Sequence, residues 1–310
     1  MDFRLTRDQR DLRAGVRDLL AGRYGRDALR SAVSSAPAGG AGGAVVDRGL
    51  WRELGEAGFF SLRLPESEGG VGLGLPEAVL VFEEAGRALL PGPLVATHLA
   101  AGVVRGAASG SAVVTAFDLG GPLVAYLGEA DAVLGATGLP AGEPAASVDP
   151  LTPLWKSPGA AGVPPSPYRE AGALLTAALQ LGSALRTVEL AVRYAGEREQ
   201  FGQPVGAFQA VKHLCAEMLV RAEVARTAVY AAAVTGDAAE IAAAKLLADE
   251  AAVRGARDCL QVHGGMGFTW EADVHLHLKR AWVRAEQWRT AREAEELLAT
   301  RLAAEAGCSE

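Results

Sequence analysis

The segment from residue 168 to the end of the chain constrains the fold most, because its apolar residues recur at alternating spacings of four and three. One such series begins at Leu174 and another at Phe208, and no proline follows Pro204. Apolar residues at this spacing form a single stripe along a helix. Long helices with one stripe each and short connections predict an antiparallel bundle in residues 168–310.

The rest of the chain falls into two parts of different composition. Four helical patterns occupy the first part, at 5–20, 51–58, 77–86 and 94–104. The second part holds nine of the fifteen prolines and two short β-type runs, at 112–117 and 123–127. We therefore predict a mainly α protein with an N-terminal helical domain (1–109), a small β middle domain (110–167) and a C-terminal helical bundle (168–310).

Bulk properties describe an ordinary globular protein, since half of the 310 residues are apolar and 22% are charged. The net charge of −7 argues against non-specific binding to nucleic acid, so an anionic ligand must be held by local groups. Cys215, Cys259 and Cys308 are too scattered for a zinc site or a disulfide framework. The longest charge-free Ala/Leu run, 171–185, is too short to span a bilayer, and no signal peptide is evident, so we expect a cytoplasmic protein.

A first candidate anion site lies in residues 198–209. Arg198 stands at the predicted end of one helix, a Gly/Pro turn follows, and Gln209 begins the next helix with Lys212 and His213 on the same face. A guanidinium and a helix N-terminus both suit a diphosphate. The same residues are also compatible with a surface arginine that pairs with a neighbouring glutamate beside an ordinary helix–helix turn.

A second candidate lies in residues 261–268, at the predicted end of a helix over 237–262. Gly264 and Gly265 allow a left-handed helix end and leave room for a ligand to approach the backbone. Gln261 could donate to a phosphate or to the edge of an adenine. A plain helix stop explains the two glycines equally well on residue types alone.

Together the two segments resemble signatures of the acyl-CoA dehydrogenase family. The family pattern is Arg-x-x-Phe-Gly, then Phe-Gln, then Gln-x-x-Gly-Gly-x-Gly, and it falls here on Arg198, Phe201, Gly202, Phe208, Gln209, Gln261, Gly264, Gly265 and Gly267. Segments 51–54, 64–66, 69–72 and 82–87 are similar to the family as well. The resemblance implies a helical domain, a β domain and a four-helix C-terminal domain, assembled as dimers or tetramers, with FAD as cofactor.

The resemblance also implies a reaction, the removal of two hydrogens across Cα–Cβ of an acyl-CoA thioester. In the family, a glutamate takes the α-proton while the flavin accepts the hydride. The usual position of that glutamate is Trp288 here, or Arg289 with a one-residue slip, and the other position that the family uses is Gly172. Glu170 and Glu286 are weak substitutes, and each is equally a solvated surface carboxylate. The catalytic base of this chain is therefore unknown.

The predicted β region is about half the length that the resemblance implies, and Trp155 is its one tryptophan. What remains of the family pattern is the set that binds the ADP half of a neighbouring subunit's FAD: Arg198, Phe201, Gln209, Gln261, Gly264 and Gly265. Thr290 matches a family residue near the adenine, but Arg292 replaces the glutamine that follows it. His275 and His277 are interpreted as surface or interface histidines.

Such a chain resembles the short subunit of actinobacterial α2β2 acyl-CoA dehydrogenases, several of which act on steroid-derived thioesters. We expect a full-length homologue as partner, which would supply the base and the wall against the flavin ring. Two alternatives stay open. One is a self-sufficient homo-oligomeric dehydrogenase with a relocated carboxylate, and the other is a relic that binds a partner or acyl-CoA without redox chemistry.

Overall fold

The structure is a computed structural model that describes residues 4–35, 43–163 and 166–307. Its helices are α1 (Arg7–Arg23), α2 (Arg26–Ser35), α3 (Arg48–Glu56), α4 (Leu75–Arg87), α5 (Leu94–Leu99), α6 (Arg169–Glu197), α7 (Gln209–Thr235), α8 (Ala238–His263), α9 (Val274–Ala285) and α10 (Ala291–Gly307). Its strands are β1 (Val114–Thr115), β2 (Leu123–Ala125), β3 (Ala132–Val133), β4 (Glu143–Ala145), β5 (Leu154–Lys156), β6 (Glu199–Gln200) and β7 (Gln203–Pro204). The predicted mainly α fold is confirmed.

The centre of the molecule is the long helix α6, which packs against α4, α7 and α8. Helices α7 and α8 are joined at Gly236, whose φ of 66° ends α7, and Asp237 then caps α8 by accepting from two backbone N–H groups. The chain reverses at each connection, so α6 and α8 run in the same direction. The C-terminal ends of these two helices therefore meet at one end of the bundle.

Helix α4 crosses α6 at backbone contact. A Cβ built on Gly182 would lie 1.8 Å from the carbonyl oxygen of Glu83, and one on Gly86 would lie 2.0 Å from that of Leu179. Only glycine fits at these two positions. The close crossing places the N-terminal helices directly on the bundle, so one hydrophobic core runs through both.

The N-terminal helices have clear local causes. Thr6 and Gln9 form a capping box at the start of α1. Arg17 of α1 donates two hydrogen bonds, of 2.8 and 2.6 Å, to the buried Glu84 carboxylate of α4. Helix α5 is shorter than the predicted 94–104, because turns replace it after Leu99. The region 36–42 of the Ala/Gly-rich stretch lies outside the described residues.

The strands β1–β5 lie between residues 114 and 156, inside the segment expected to be the middle domain. Strand β5 pairs antiparallel with β2 on one side and β4 on the other, while β1 pairs parallel with β3. The strands are only two or three residues long, so the predicted β runs 112–117 and 123–127 form strands over a part of their length. No described helix is both long and apolar enough to cross a membrane.

Candidate cofactor end and base positions

Both anion-site motifs lie at the same end of the bundle. Helices α6 and α8 end there and α7 begins there, so the fold brings Arg198, Gln209 and Gln261 to one surface. The rings of Tyr194 and His263, near the ends of α6 and α8, are stacked with centroids 4.1 Å apart. Segments more than fifty residues apart in sequence therefore share one site.

Arg198 is exposed at the end of α6, and its side chain pairs with no described carboxylate. This excludes the expected alternative of an ion pair with Glu197 or Glu199 in this structure. The β6–β7 hairpin follows, and its turn places Phe201 (φ 54°) and Gly202 (φ 79°) in the left-handed region. Phe201 is 91% exposed and meets Phe208 edge-on at 6.1 Å. The Arg198 guanidinium, just before the hairpin, and the Phe201 ring, in its turn, are thus both exposed and accessible to a ligand.

The start of α7 is also open. Gln209 is the first helical residue, and no side chain caps the free N–H groups of this turn. Gln209 Nε2 lies 2.9 Å from His213 Nε2, as the predicted i, i+4 face requires. An uncapped helix N-terminus attracts an anion through its N–H groups and dipole.

The end of α8 completes this surface. Gly264 has φ 60°, and a Cβ built on Gly264 or Gly265 would meet no atom within 4 Å. Gln261 is exposed, and so are the apolar side chains of Met266 and Phe268. The backbone here is open to a ligand rather than packed, which suits the close approach of a phosphate. These groups fit the diphosphate half of FAD.

The two family base positions lie far away, near the N-terminal end of α6, and they touch each other. A Cβ built on Gly172 would lie 2.2 Å from Cδ2 and 2.3 Å from Cε3 of Trp288, so the indole lies flat against the glycine. Trp288 is only 6% exposed and has φ 61°. The backbone N–H of Trp288 donates to the carbonyl of Asp118 at 2.6 Å, and the backbone carbonyl of Trp288 accepts from Arg169 Nε at 3.0 Å. The Trp288 side chain therefore blocks both family positions of the base: it stands at one of them and packs against Gly172, which is the other.

The two substitute carboxylates are not placed to replace the missing base. Glu170 forms an ion pair with Arg289, and Glu286 is exposed at the end of α9. Neither lines the cavity beside Trp288, which measures about 30 Å³. Small-molecule sites typically occupy about 300–1,000 Å³. This cavity cannot hold a flavin ring and a thioester.

A third carboxylate, that of Asp118, does line this cavity, and no motif in the sequence pointed to it. Gln287 Nε2 donates to its Oδ2 at 2.9 Å, and burial raises the pKa of the Asp118 carboxyl to about 7. Two arginines of α9 line the same cavity: Arg280, which pairs with buried Asp149, and Arg284. Burial, followed by the nearby Arg280 charge, lowers the pKa of Arg284 to about 9. In the sequence, the spacing of four residues between Arg280 and Arg284 could have indicated that the two arginines lie on the same face of one helix.

The interpretation of His277 as a surface or interface histidine is wrong, because it is buried within the chain itself. The Nδ1 of His277 lies 2.7 Å from Ser183 Oγ, and burial lowers the pKa of His277 to about 3. Position 277 lies on the core face of α9, whereas His275, two residues earlier, is half-buried. The spacing of the two histidines in the sequence did not indicate which face of α9 is buried. Trp155 is buried in β5, where it packs in a small cluster with Val124 and Leu127.

Other expected residues have ordinary roles. Cys215 and Cys259 are free thiols, and Cys308 lies outside the described residues. Thr290 bonds the Glu293 carboxylate and Arg292 pairs with Glu296, both within α10 or its first turn. Across the described ranges no cluster of His, Cys, Asp and Glu could hold a metal ion.

The family model described as the N-terminal domain of acyl-CoA dehydrogenase matches residues 6–112, and the one described as the C-terminal domain matches 170–304. "Acyl-CoA dehydrogenase IpdE2" of Mycobacterium tuberculosis is 35% identical over 91% of this chain and 93% of that protein. The protein of the same name in Mycolicibacterium smegmatis is 35% identical over 76% and 82%.

Solved structures agree with this comparison. A chain of the ChsE4–ChsE5 complex from M. tuberculosis superposes with a TM-score of 0.82, at 25% identity over 98% of this chain and 99% of that one. Butyryl-CoA dehydrogenase from Megasphaera elsdenii superposes with a TM-score of 0.78 at 20% identity, over 97% and 100%, which supports the fold alone.

Proposed function

The chain belongs to the acyl-CoA dehydrogenase family, and from that premise we propose that it is the short subunit of a hetero-oligomeric, FAD-dependent acyl-CoA dehydrogenase. Membership of the family confirms the predicted oxidoreductase class and FAD as the cofactor at the level of the family. In the proposal, this chain binds the ADP half of an FAD whose flavin ring lies in a full-length homologous subunit. That partner supplies the catalytic base.

One observation carries the proposal: polar groups at one end of the bundle are exposed and unpartnered, whereas the family positions of the base at the other end are packed against each other. The cofactor end is open, with an unpaired Arg198, an uncapped α7 and an unobstructed Gly264 backbone. At the base end, Trp288 packs directly against Gly172, and the cavity beside it measures only about 30 Å³. A chain with its own complete site would need space at the base end, and a chain without any flavin role would not need the open cofactor end.

The residues at the cofactor end have distinct tasks in this proposal. Arg198 would bind diphosphate oxygens through its planar fork of donors, and the free N–H groups of α7 would hold the same charge. Gln209 and Gln261 would donate hydrogen bonds, while the exposed ring of Phe201 would cover an apolar part of the cofactor. Bound FAD supplies the acceptor for the substrate hydride.

The partner and the substrate follow from relatives rather than from geometry. IpdE2, similar in length to this chain, carries the name of an acyl-CoA dehydrogenase, and the ChsE4–ChsE5 structure is a complex of two proteins. We extend the proposal to an acyl-CoA thioester as the substrate. Because the chain resembles short subunits of enzymes that act on steroid-derived thioesters, we propose that its acyl group is steroid-derived. A cytoplasmic location suits a CoA thioester.

The test is to express the chain alone, its full-length homologue alone, and both together, and to measure flavin absorbance per chain. We expect about one FAD per pair in the mixed complex and little flavin in this chain alone. One FAD per chain in this protein purified alone would overturn the proposal.

A variant sharpens this test. Arg198→Gln removes a charge-assisted contact and should weaken FAD retention in the complex by about 10- to 100-fold. The matched control is Arg105→Gln, which removes an exposed guanidinium that pairs with no described carboxylate and lies outside the bundle. Equal retention in both variants would remove Arg198 from the proposed site.

The self-sufficient alternative has one observation in its favour, the raised pKa of Asp118 at the small cavity. A general base works best when its pKa lies near the working pH. If this chain alone oxidises an acyl-CoA, then Asp118→Asn, Glu170→Gln or Glu286→Gln should abolish turnover. Loss of turnover in one of these variants would favour this alternative over the shared site.

A further inference from the structure

Three polar atoms in the wall of the cavity beside Trp288 are buried without a hydrogen-bond partner among the described residues. They are Asp118 Oδ1, Thr176 Oγ1 and Arg280 Nη2. All three residues line the same cavity. An unsatisfied buried polar atom costs about 1–3 kcal/mol, so three around one small space indicate that the space holds a polar species.

The charges around the cavity favour a negative species. Arg280 and Arg284 are each only 2% exposed and lie four residues apart on α9. Arg280 pairs with Asp149, but Arg284 donates to the carbonyl of Leu179 at 3.2 Å and pairs with no described carboxylate. A buried cation without a counter-ion is strongly unfavourable.

The other nearby carboxylates do not remove this imbalance. Asp249 is occupied by Lys245, and Glu170 is occupied by Arg289. Asp118 lines the cavity, but burial raises its pKa to about 7, so a large share of it is neutral at neutral pH. A protonated Asp118 would donate a hydrogen bond rather than accept one.

The size of the cavity limits the species. A volume of about 30 Å³ accommodates one or two water-sized species, since one water needs about 10–15 Å³ on this measure. The space is too small for an organic ligand. Trp288, which lines the cavity, is only 6% exposed, so a bound species would be partly shielded from solvent.

We propose that this cavity is a binding site for a small monovalent inorganic anion of the size of chloride or bromide, held by Arg280, Arg284 and the Thr176 hydroxyl. The inference rests on the base end, which the proposed function also uses, but it does not depend on FAD or on a partner.

The first measurement is the unfolding of the full chain, or of its complex, in sodium bromide and in sodium gluconate at equal ionic strength. Gluconate is too large for the cavity. For a dissociation constant near 10 mM, bromide at about 200 mM should raise the folding equilibrium constant roughly twentyfold over gluconate. Equal midpoints in the two salts would overturn the proposal.

Variants separate a specific site from a general salt effect. Arg284→Met should abolish the bromide effect, while Arg254→Met, at a surface arginine paired with Glu250, should retain it. If Arg284→Met does not fold, Thr176→Val tests the same site with nearly unchanged volume and should weaken the effect. An unchanged bromide effect in Thr176→Val and Arg284→Met alike would overturn the proposal.

Crystals grown in sodium bromide give a direct readout, because bromide scatters anomalously. An anomalous peak between Arg280 and Arg284 would support the proposal, and density without anomalous signal would show water alone and overturn it. These readouts are independent of flavin content. A failed anion site with a shared FAD, or the reverse, would therefore be recognised.

Discussion

The contact of Trp288 with Gly172 can be tested by adding one methyl group. Gly172→Ala places a Cβ 2.2 Å from the indole, and the indole cannot move freely because the Trp288 backbone is bonded on both sides, to Asp118 and Arg169. Overpacking of this kind costs about 1–3 kcal/mol. We expect a loss of that size in the free energy of unfolding, measured in urea.

A matched control isolates the contact from helix propensity. Gly15 lies in the middle of α1, and a Cβ built there meets no atom within 4 Å. Gly15→Ala should therefore stabilise the protein by about 0.5–1 kcal/mol, as alanine does in an exposed helix. The two Gly→Ala changes should shift the free energy of unfolding in opposite directions, with a difference between them of about 1.5–4 kcal/mol.

A double-mutant cycle completes the experiment. Trp288→Ala alone should cost about 3–5 kcal/mol, because it empties the volume of a buried indole. In Gly172→Ala/Trp288→Ala, the new methyl group enters that volume, so the double variant should be less destabilised than the sum by about 1–3 kcal/mol. If the two effects simply add, or if Gly172→Ala is as harmless as Gly15→Ala, the indole does not lie on Gly172.

Three further predictions concern buried groups and backbone contact. Asp118 has a raised carboxyl pKa, so the wild type should lose up to about 4 kcal/mol as pH rises from about 4 to 7, and Asp118→Asn should not, in urea unfolding at pH 4 and 8. His277 has a pKa lowered to about 3, so stability should fall by about 2 kcal/mol from pH 7 to 5, and His277→Gln should reduce this acid sensitivity. Gly182→Ala should cost about 3 kcal/mol or more in thermal or urea unfolding, because its Cβ would meet a backbone carbonyl that has no rotamer to change.

The long helices and the cofactor end could be predicted because their determinants are local in sequence. The apolar stripes that begin at Leu174 and Phe208 lie on α6 and α7. Asp237 caps the start of α8, and Gly264 caps its end. Once α6 and α8 run parallel, the two motifs that follow Arg198 and Gln261 must meet. Periodicity and helix ends thus determine most of that surface.

The base end could not be predicted in the same way, because its contacts join residues more than a hundred positions apart. Trp288 reads as a mere substitution in sequence, and only its packing on Gly172 shows that one replacement explains the other. Asp118 and Arg284 acquire their shifted pKa values from burial, which no local pattern reports. The strands were predicted too long; β2, for example, ends at Ala125 because the backbone of Tyr126 turns into the left-handed region, with φ 58°.

Restoring a carboxylate at position 288 should not restore an active site to this chain. In Trp288→Glu the new carboxylate would lie in a cavity lined by Arg280 and Arg284, and these cations would hold its pKa well below the range that a general base needs. We expect no acyl-CoA oxidation by Trp288→Glu alone, assayed with a dye acceptor, while its complex with the full-length partner keeps its flavin. The Trp288→Gln variant is the control, with the same shape and no charge. Turnover by Trp288→Glu alone, absent in Trp288→Gln, would mean that the small cavity is the only obstacle to catalysis in this subunit, and the shared-site proposal would then have to be abandoned.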